Sequence, residues 1–213
     1  MGAPLTYTVN SIGSATDRVD ILDRNHDEIS LLAHLARYAF VVRQLTPDDT
    51  VLEVGSGTGY GAHFISKHVS HVIAFEPFVD PKSLTNIWNR DNLEFTKEIV
   101  SKSGFDKIVA LEVIEHMPRS EADEFLRFLV ERGNERSTWF ISTPRRLEDE
   151  DRTENRKRAH PYEYSFEDFC FILGEYFYNF QIYSQNDALI SFQNPKMAWN
   201  FVAVCTNPKV LRR

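Results

Sequence analysis

The stretch Val51-Leu52-Glu53-Val54-Gly55-Ser56-Gly57-Thr58-Gly59-Tyr60 decides the fold. An apolar run leads directly into three glycines at alternate positions, and an apolar helical pattern follows. Glycine lets the backbone turn sharply and approach a ligand closely. A nicotinamide-dinucleotide fingerprint, G-x-G-x-x-G, would need glycine three residues after Gly57, where the chain has Tyr60. The stretch therefore predicts a strand, a glycine loop and a helix that serve a different ligand.

A carboxylate stands where such a loop requires one. Glu76 ends the apolar run 72–75 and follows Gly55 by 21 residues. An acid about twenty residues after the loop, at the tip of the next strand, holds a ribose in nucleotide-binding folds of this kind. The alternative is a tight turn with an exposed acid at a strand end. The agreement of the two spacings favours a ribose-binding carboxylate.

Apolar runs of strand length alternate with segments of helical period on both sides of this motif. Such alternation predicts parallel strands with helical crossovers. The predicted strands are 50–54, 72–75, 93–95, 107–113, 138–142, 180–184 and 200–205, and the predicted helices are 26–45, 60–69, 121–132 and 165–176. A capping box of Asn25 and Glu28 predicts where the first helix begins.

The division of the chain follows from this pattern. Residues 1–24 have no clear period and are predicted to be an N-terminal arm, whereas 25–213 form one domain. The segment 145–163 is polar and lacks a hydrophobic period, which predicts a long loop or lid. Its basic residues could close on an acidic substrate, or the segment could be a solvated loop of mixed charge. These basic residues are Arg145, Arg146, Arg152, Arg156, Lys157 and Arg158.

The composition of the chain limits which binding partners and which cellular location we expect. The net charge of −7 argues against general affinity for polyphosphates, so any RNA binding has to be local. Cys170 and Cys205 lie far apart without a metal-binding spacing, which favours a reducing compartment, and we expect a cytoplasmic protein. No apolar run approaches the ~18 residues of a membrane span, and the N-terminus does not look like a signal peptide.

Three further stretches, together with the glycine loop, carry a family resemblance. They are Phe105-Asp106-Lys107-Ile108-Val109-Ala110-Leu111-Glu112-Val113-Ile114-Glu115-His116-Met117, Ile141-Ser142-Thr143-Pro144, and His160-Pro161-Tyr162-Glu163-Tyr164-Ser165-Phe166-Glu167-Asp168-Phe169. Residues 35–205 resemble class I S-adenosylmethionine-dependent methyltransferases. The group that they resemble includes the glycan-cluster and ubiquinone-pathway O-methyltransferases and the small-RNA 3′-terminal 2′-O-methyltransferases.

The resemblance implies a fold and a methyl donor. The fold is a Rossmann-like, seven-stranded, mostly parallel sheet with an antiparallel C-terminal hairpin and helices on both faces. The donor is S-adenosylmethionine, whose amino-acid end lies in the glycine loop. For adenine contact, the end of the third strand offers only Glu98. The implied donor-binding residues are Glu53, Gly55, Ser56, Gly57, Thr58, Gly59, Tyr60, Glu76, Pro77, Leu111 and Glu112.

The resemblance also places the end of the fourth strand beside the reacting methyl group. If the chain turns helical there, Glu112, Glu115 and His116 share one face at i, i+3 and i+4. In the small-RNA enzymes the matching residues, with a distant histidine that corresponds to His160, bind a divalent ion. Oxygen and nitrogen ligands suit Mg²⁺ or Mn²⁺. The alternatives are that His116 or His160 acts as a metal-free general base, with Glu115 beside it, or that the residues only pack.

The absence of one motif indicates which type of atom accepts the methyl group. Methyltransferases of amino groups usually have Asn/Asp-Pro-Pro-aromatic at this strand end, where this chain has Glu112-Val113-Ile114-Glu115. An oxygen acceptor is therefore favoured, on a sugar, a glycan precursor or another small molecule. The alternatives are the 2′-oxygen at an RNA 3′ end, disfavoured by the acidic charge, and a non-catalytic donor-binding subunit. Tyr162 and Tyr164 are the aromatic candidates for substrate contact.

Overall fold

A computed structural model describes residues 21, 27–192 and 194–209. The helices are α1 (Glu28–Val42), α2 (Tyr60–Ser66), α3 (Pro81–Ile87), α4 (Arg119–Arg132), α5 (Glu154–Ala159) and α6 (Phe166–Tyr176). The strands are β1 (Thr50–Val54), β2 (His71–Phe75), β3 (Leu93–Thr96), β4 (Lys107–Leu111), β5 (Thr138–Pro144), β6 (Phe177–Asn186), β7 (Leu189–Ser191) and β8 (Asn200–Pro208). The predicted arm 1–24 lies outside the described residues, apart from Ile21.

The strands form one sheet in the order β3-β2-β1-β4-β5-β8-β6-β7. Strands β1 to β5 pair in parallel, and β8 runs antiparallel between β5 and β6. The predicted fold class is confirmed, and the short β7 adds an eighth strand at the edge. Among the described helices, none combines the length and apolar character needed to cross a membrane.

Helices cover both faces of the sheet, and the alternation of side chains along each strand supplies both cores. Trp139 and Phe140 are fully buried neighbours on β5 that belong to different core clusters, because successive side chains point to opposite faces. Phe125 of α4 lies in the first cluster and Ile65 of α2 in the second. Burial on both faces leaves the strand ends as the places where polar groups can meet a ligand.

The first and third helices differ from the sequence prediction. The predicted cap Asn25 lies outside the described residues, and α1 is capped by Asp27, whose carboxylate accepts a hydrogen bond from Ser30 N at 2.7 Å. Helix α3 was not predicted because Leu84 is its one buried residue, so the segment has no apolar period. Asp80 caps it by accepting from Lys82 N, and Pro81 begins it.

The segment predicted as a long loop is partly helical, which corrects that prediction. A 3₁₀ turn at Asp149–Asp151 is followed by α5, whose N-cap Thr153 accepts from Arg156 N at 3.2 Å. Ala159 is the one buried residue of α5. The helix depends on its cap and on ion pairs rather than on an apolar face, so hydrophobic periodicity could not reveal it.

Candidate active site

A cleft of about 630 Å³ opens at the carboxyl ends of the parallel strands. The chain order reverses between β1 and β4, so a crevice forms where the connections from these neighbouring strands leave in opposite directions. Ligands of open α/β sheets bind at this switch point. The loops after β1, β2, β4 and β5 all contribute residues to the cleft wall.

The glycine loop after β1 has the backbone that its sequence predicts. Gly55, Gly57 and Gly59 have φ values of +76°, +54° and +82°, in the left-handed region. A Cβ at Gly59 would lie 2.9 Å from ring atoms of Phe95 and Trp88. A Cβ at Gly57 would meet no atom within 4 Å. Gly59 is thus required by close packing, whereas Gly57 borders open space in the cleft.

Trp88 supports this loop and was not singled out from the sequence. Its Nε1 donates a hydrogen bond to Thr58 O at 2.7 Å, and its ring lies against His63. No local motif marks this role, because Trp88 is 30 residues away from Thr58 in the chain. The indole holds the loop carbonyl in place from outside the cleft.

The strand-end acid Glu76 is buried and faces the loop. Its Oε2 accepts a hydrogen bond from Gly57 N at 2.9 Å, and its Oε1 accepts from Phe78 N at 3.1 Å. Both carboxylate oxygens are therefore held by backbone donors. Glu76 and Pro77 line the cleft beside the loop, which is the placement that the spacing of the two motifs predicts.

Glu53 lies behind the cleft wall. Its Oε1 accepts a hydrogen bond from the Tyr38 hydroxyl at 2.7 Å, and its Oε2 has no hydrogen-bond partner among the described residues. Burial raises the pKa of the Glu53 carboxyl to about 7; the Tyr38 hydrogen bond lowers it and the charge of Glu76 raises it further. Tyr38, rather than Glu53, lines the cleft.

Most of the proposed donor-binding residues line the cleft. The lining members of that set are Gly55, Ser56, Gly57, Thr58, Tyr60, Glu76, Pro77, Leu111 and Glu112, while Glu53 and Gly59 lie behind it. Glu98, the candidate for adenine contact, is exposed and does not line the cleft.

Glu112 does not share the helical face that the sequence predicts. It has φ +57°, which ends β4 at Leu111, and the 3₁₀ turn Ile114–His116 begins only after it. Its carboxylate accepts hydrogen bonds from Ser142 Oγ and Asn200 Nδ2, both at 2.6 Å, and Arg37 Nη2 lies 3.8 Å away. Glu112 therefore joins the end of β4 to β5 and β8, and the proposed four-residue metal set reduces to three.

Those three residues, Glu115, His116 and His160, do come together. One potential ligand atom from each lies within 4.8 Å of the others, and the two imidazole centroids are 5.0 Å apart. Glu115 Oε2 is buried without a hydrogen-bond partner among the described residues. Burial, and then the charge of Glu112, raise the pKa of the Glu115 carboxyl well above its usual value. All three residues line the cleft.

The hydrogen bonds of the two histidines fix their ring orientation. His116 Nδ1 lies 2.8 Å from Ala159 O, and His160 Nδ1 lies 2.9 Å from Glu163 Oε1. Both partner oxygens accept, so each Nδ1 carries the proton and the Nε2 of each neutral ring is the basic nitrogen. The sequence predicts a role for both histidines, and the structure adds the groups that orient them.

Glu163 connects His160 to the segment after β5, and its role was not predicted from the sequence. Its fully buried carboxylate accepts from Arg156 Nε at 2.6 Å and from Leu147 N at 3.3 Å, and Arg152 Nε lies 3.4 Å away. Burial would raise the pKa of Glu163, but the His160 hydrogen bond and the Arg156 charge outweigh it and hold the pKa below its usual value. Its position three residues after His160 is the signal that could have indicated a pairing.

The two proposed aromatic contacts lie elsewhere, which corrects the prediction. Neither Tyr162 nor Tyr164 lines the cleft; their rings pack edge to face at 4.9 Å, and Tyr164 is fully buried against Phe169. Trp199 lines the cleft instead and exposes 58% of its surface.

Comparison with known proteins agrees with this geometry. The family model of a methyltransferase domain matches residues 24–185. No curated protein matches the sequence at a significant level. Among solved structures, the N-methyltransferase NodS from Bradyrhizobium japonicum in complex with S-adenosyl-L-homocysteine is 14% identical, with a TM-score of 0.63 over 87% of this chain and 90% of that one.

Two further structures show the same fold. A TehB-like SAM-dependent methyltransferase from Corynebacterium glutamicum is 14% identical, with a TM-score of 0.61 over 81% of this chain and 87% of that one. The methyltransferase domain of bacterial CtHen1 is 16% identical, with a TM-score of 0.62 over 82% and 99%. At these identities the likeness concerns the fold alone.

Fold and cleft together define a class I, Rossmann-like methyltransferase. The family model covers well over half of the chain, and the chain belongs to the methyltransferase domain family. The predicted class, an S-adenosylmethionine-dependent methyltransferase, is confirmed.

Proposed function

We propose that the protein transfers the methyl group of S-adenosylmethionine to a hydroxyl oxygen of a sugar, a glycan precursor or another small molecule. The observation that carries the proposal is the cluster of Glu115, His116 and His160, which faces the same cleft as the glycine loop and Glu76. The donor would lie between the loops of β1, β2 and β4, with its methyl group directed at the cluster.

The proposal for donor binding rests on the glycine loop and on Glu76. The left-handed glycines leave the backbone accessible, and the buried Glu76 carboxylate is held by Gly57 N and Phe78 N beside the cleft. A carboxylate in this position accepts hydrogen bonds from ribose hydroxyls. The neighbour NodS, described in complex with S-adenosyl-L-homocysteine, supports this choice of ligand.

Methyl transfer to a hydroxyl requires one general base and an acceptor oxygen aligned with the methyl carbon and the sulfonium. The acceptor oxygen forms a bond to the methyl carbon while the bond from that carbon to the sulfonium breaks, and S-adenosyl-L-homocysteine leaves. The hydroxyl proton goes to Nε2 of His160 or His116, because the Nδ1 of each ring is committed to its own partner. Alignment and exclusion of water supply the rest of the acceleration.

The oxygen acceptor is supported by the residues at the end of β4. Glu112-Val113-Ile114-Glu115 stands where enzymes acting on amino groups usually have Asn/Asp-Pro-Pro-aromatic. The N-methyltransferase NodS is too distant, at 14% identity, to weigh against this. We also propose a cytoplasmic location, supported by Cys170 and Cys205, both of which are free.

A second candidate is methylation of the 2′-oxygen at an RNA 3′ end with the help of a divalent cation. Glu115, His116 and His160 would hold Mg²⁺ or Mn²⁺, which would lower the pKa of the acceptor hydroxyl. The fit rests on the unpartnered Glu115 Oε2 and on Nδ1 bonds that orient both imidazoles, as metal ligands require.

The test measures transfer of labelled methyl groups from S-adenosylmethionine to sugars, to phosphorylated sugars and to a short RNA with a free 3′ end. Each acceptor is assayed with Mg²⁺ or Mn²⁺ and with a chelator. We expect chelator-resistant transfer to a hydroxyl compound that His160→Ala reduces at least a hundredfold. Metal-dependent transfer to RNA would establish the second candidate. Donor binding without transfer to any acceptor would indicate a non-catalytic subunit.

A further inference from the structure

The wall of the cleft beyond β4 carries positive charge in a protein whose net charge is −7. Of the basic residues between 145 and 158, Arg145 and Arg156 line the cleft. Arg145 directly follows β5, which lies on the far side of β4 from β1 and β2. Since the proposed donor site spans β2, β1 and β4, these arginines lie on the acceptor side.

Arg145 has no carboxylate to balance its charge among the described residues. Its Nε donates to Ala198 O at 2.7 Å and its Nη1 to Arg146 O at 3.5 Å, and both acceptors are neutral carbonyls. The other basic side chains of the segment are engaged elsewhere. Arg146 contacts Asp168 at 2.8 Å, and Lys157 contacts Glu154 at 3.2 Å. Arg145 is therefore a cation whose charge the fold leaves available.

The guanidinium of Arg145 is also held in place. Its Nε bond to Ala198 O and its backbone N–H bond to Trp199 O, at 2.8 Å, fix both ends of the side chain against the turn before β8. A cation that is positioned before the ligand arrives loses little conformational entropy on binding. This distinguishes Arg145 from the exposed Arg158, whose one polar contact with the described part of the chain is the amide oxygen of Asn155 at 3.4 Å.

Arg156 brings positive charge next to the proposed base. Its Nε and His160 Nδ1 both contact the same oxygen, Glu163 Oε1, at 2.6 and 2.9 Å. Arg152 Nε lies 3.4 Å from the other oxygen of that carboxylate. One buried carboxylate thus faces two guanidinium groups, and Arg152 is also 3.7 Å from Asp149 Oδ1. Arg156, which lines the cleft, is the arginine of this pair that lies beside both His160 and the acceptor side.

We propose that the methyl acceptor carries an anionic group, a phosphate or a carboxylate, which Arg145 binds with Arg156 beside it while the acceptor hydroxyl faces His160. Arginine suits this role because its planar guanidinium can bind two oxygens of one anion. The inference rests on the proposed function, since it concerns the acceptor end of the same cleft.

The experiment is calorimetric titration of the full chain, loaded with S-adenosyl-L-homocysteine, with matched probes. The phosphate pair is ribose 5-phosphate and ribose, and the carboxylate pair is glucuronate and glucose. We expect the anionic member of at least one pair to bind at least tenfold more tightly, with a preference that falls as salt rises. The pair that shows the preference distinguishes phosphate from carboxylate.

Variants identify the residue responsible. Arg145→Gln should lower affinity for the anionic probe about tenfold or more, Arg145→Lys should lose less, and the control Arg158→Gln should match the wild type. Equal binding of charged and neutral members in both pairs, or a preference that Arg145→Gln retains, would overturn the proposal. Failure of S-adenosyl-L-homocysteine itself to bind would instead refute the proposed function, so the two outcomes are distinguishable.

Discussion

Replacement of Glu163 by glutamine should damage both stability and catalysis, because this one carboxylate orients His160 and neutralises two arginines. Glutamine has nearly the same shape but offers one acceptor oxygen and no charge. The carboxylate now accepts from Arg156 Nε at 2.6 Å, from His160 Nδ1 at 2.9 Å and from Leu147 N at 3.3 Å. At least one of these donors would face the NH₂ group of the new amide.

The magnitude follows from the type of bond lost. A hydrogen bond to a charged group contributes roughly 1.5–3 kcal/mol, and a buried donor left without a partner adds a desolvation cost. The arginines are partly solvated, so water relieves some of this, and we expect a loss of about 2–3 kcal/mol. For a domain of this size each kcal/mol lowers Tm by about 2–4 °C, which amounts to about 4–12 °C.

Calorimetric unfolding tests the stability change, and steady-state methyl transfer tests the orientation of His160. We expect Glu163→Gln to lower kcat at least tenfold while the affinity for S-adenosyl-L-homocysteine stays within twofold, since Glu163 does not line the cleft. The matched control is Glu167→Gln, on the exposed first turn of α6, with Tm and kcat unchanged. Normal kcat in a destabilised Glu163→Gln would refute the positioning role.

Three further outcomes are expected. Gly57→Ala should weaken donor binding at least tenfold and cost only ~1–2 kcal/mol of stability, because its φ of +54° is strained for alanine and its Cβ would enter the cleft; unchanged donor affinity in calorimetry would contradict this. Trp88→Phe, which loses the Nε1 bond to Thr58 O, should also weaken donor binding, by about threefold to tenfold, whereas an unaffected affinity would remove the indole from loop support. Glu53 should make the stability depend on pH. Its folded-state pKa of about 7 exceeds the ordinary value of 4.5, so its contribution is complete below about pH 4.5 and is lost as pH rises through 7. Between pH 4.5 and pH 7, the free energy of unfolding of the wild type should fall by about 3 kcal/mol relative to that of Glu53→Gln. Equal pH dependence of the two unfolding free energies, measured by denaturant titration, would rule this out.

The sheet could be predicted because its signal is local. Four of the parallel strands, β1, β2, β4 and β5, are buried on both faces and must be continuous apolar runs, and the prediction for 50–54 coincides with β1. Helices α3 and α5 were not predicted because each has only one buried residue. Each depends instead on its N-cap, which is Asp80 for α3 and Thr153 for α5. Amphipathic periodicity detects a helix only when a whole face is buried.

The candidate site likewise contains residues that could be placed from the sequence and residues that could not. The glycine loop and Glu76 are defined by spacing along the chain, so their juxtaposition could be expected. Glu112 could not be placed, because its left-handed backbone turns the carboxylate toward Ser142 and Asn200. Contacts between residues far apart in sequence, such as Asn200 with Glu112, depend on strand order, which the local pattern does not contain.

The most direct measurement is calorimetric titration of S-adenosylmethionine into the wild type, Glu76→Gln and the control Glu94→Gln, which lies on β3 with an exposed side chain. We expect one donor molecule to bind per chain, with an affinity at least tenfold weaker in Glu76→Gln and a wild-type affinity in Glu94→Gln. A wild type that does not bind the donor, or a Glu76→Gln variant that binds it equally well, would contradict the assignment of this cleft to the methyl donor.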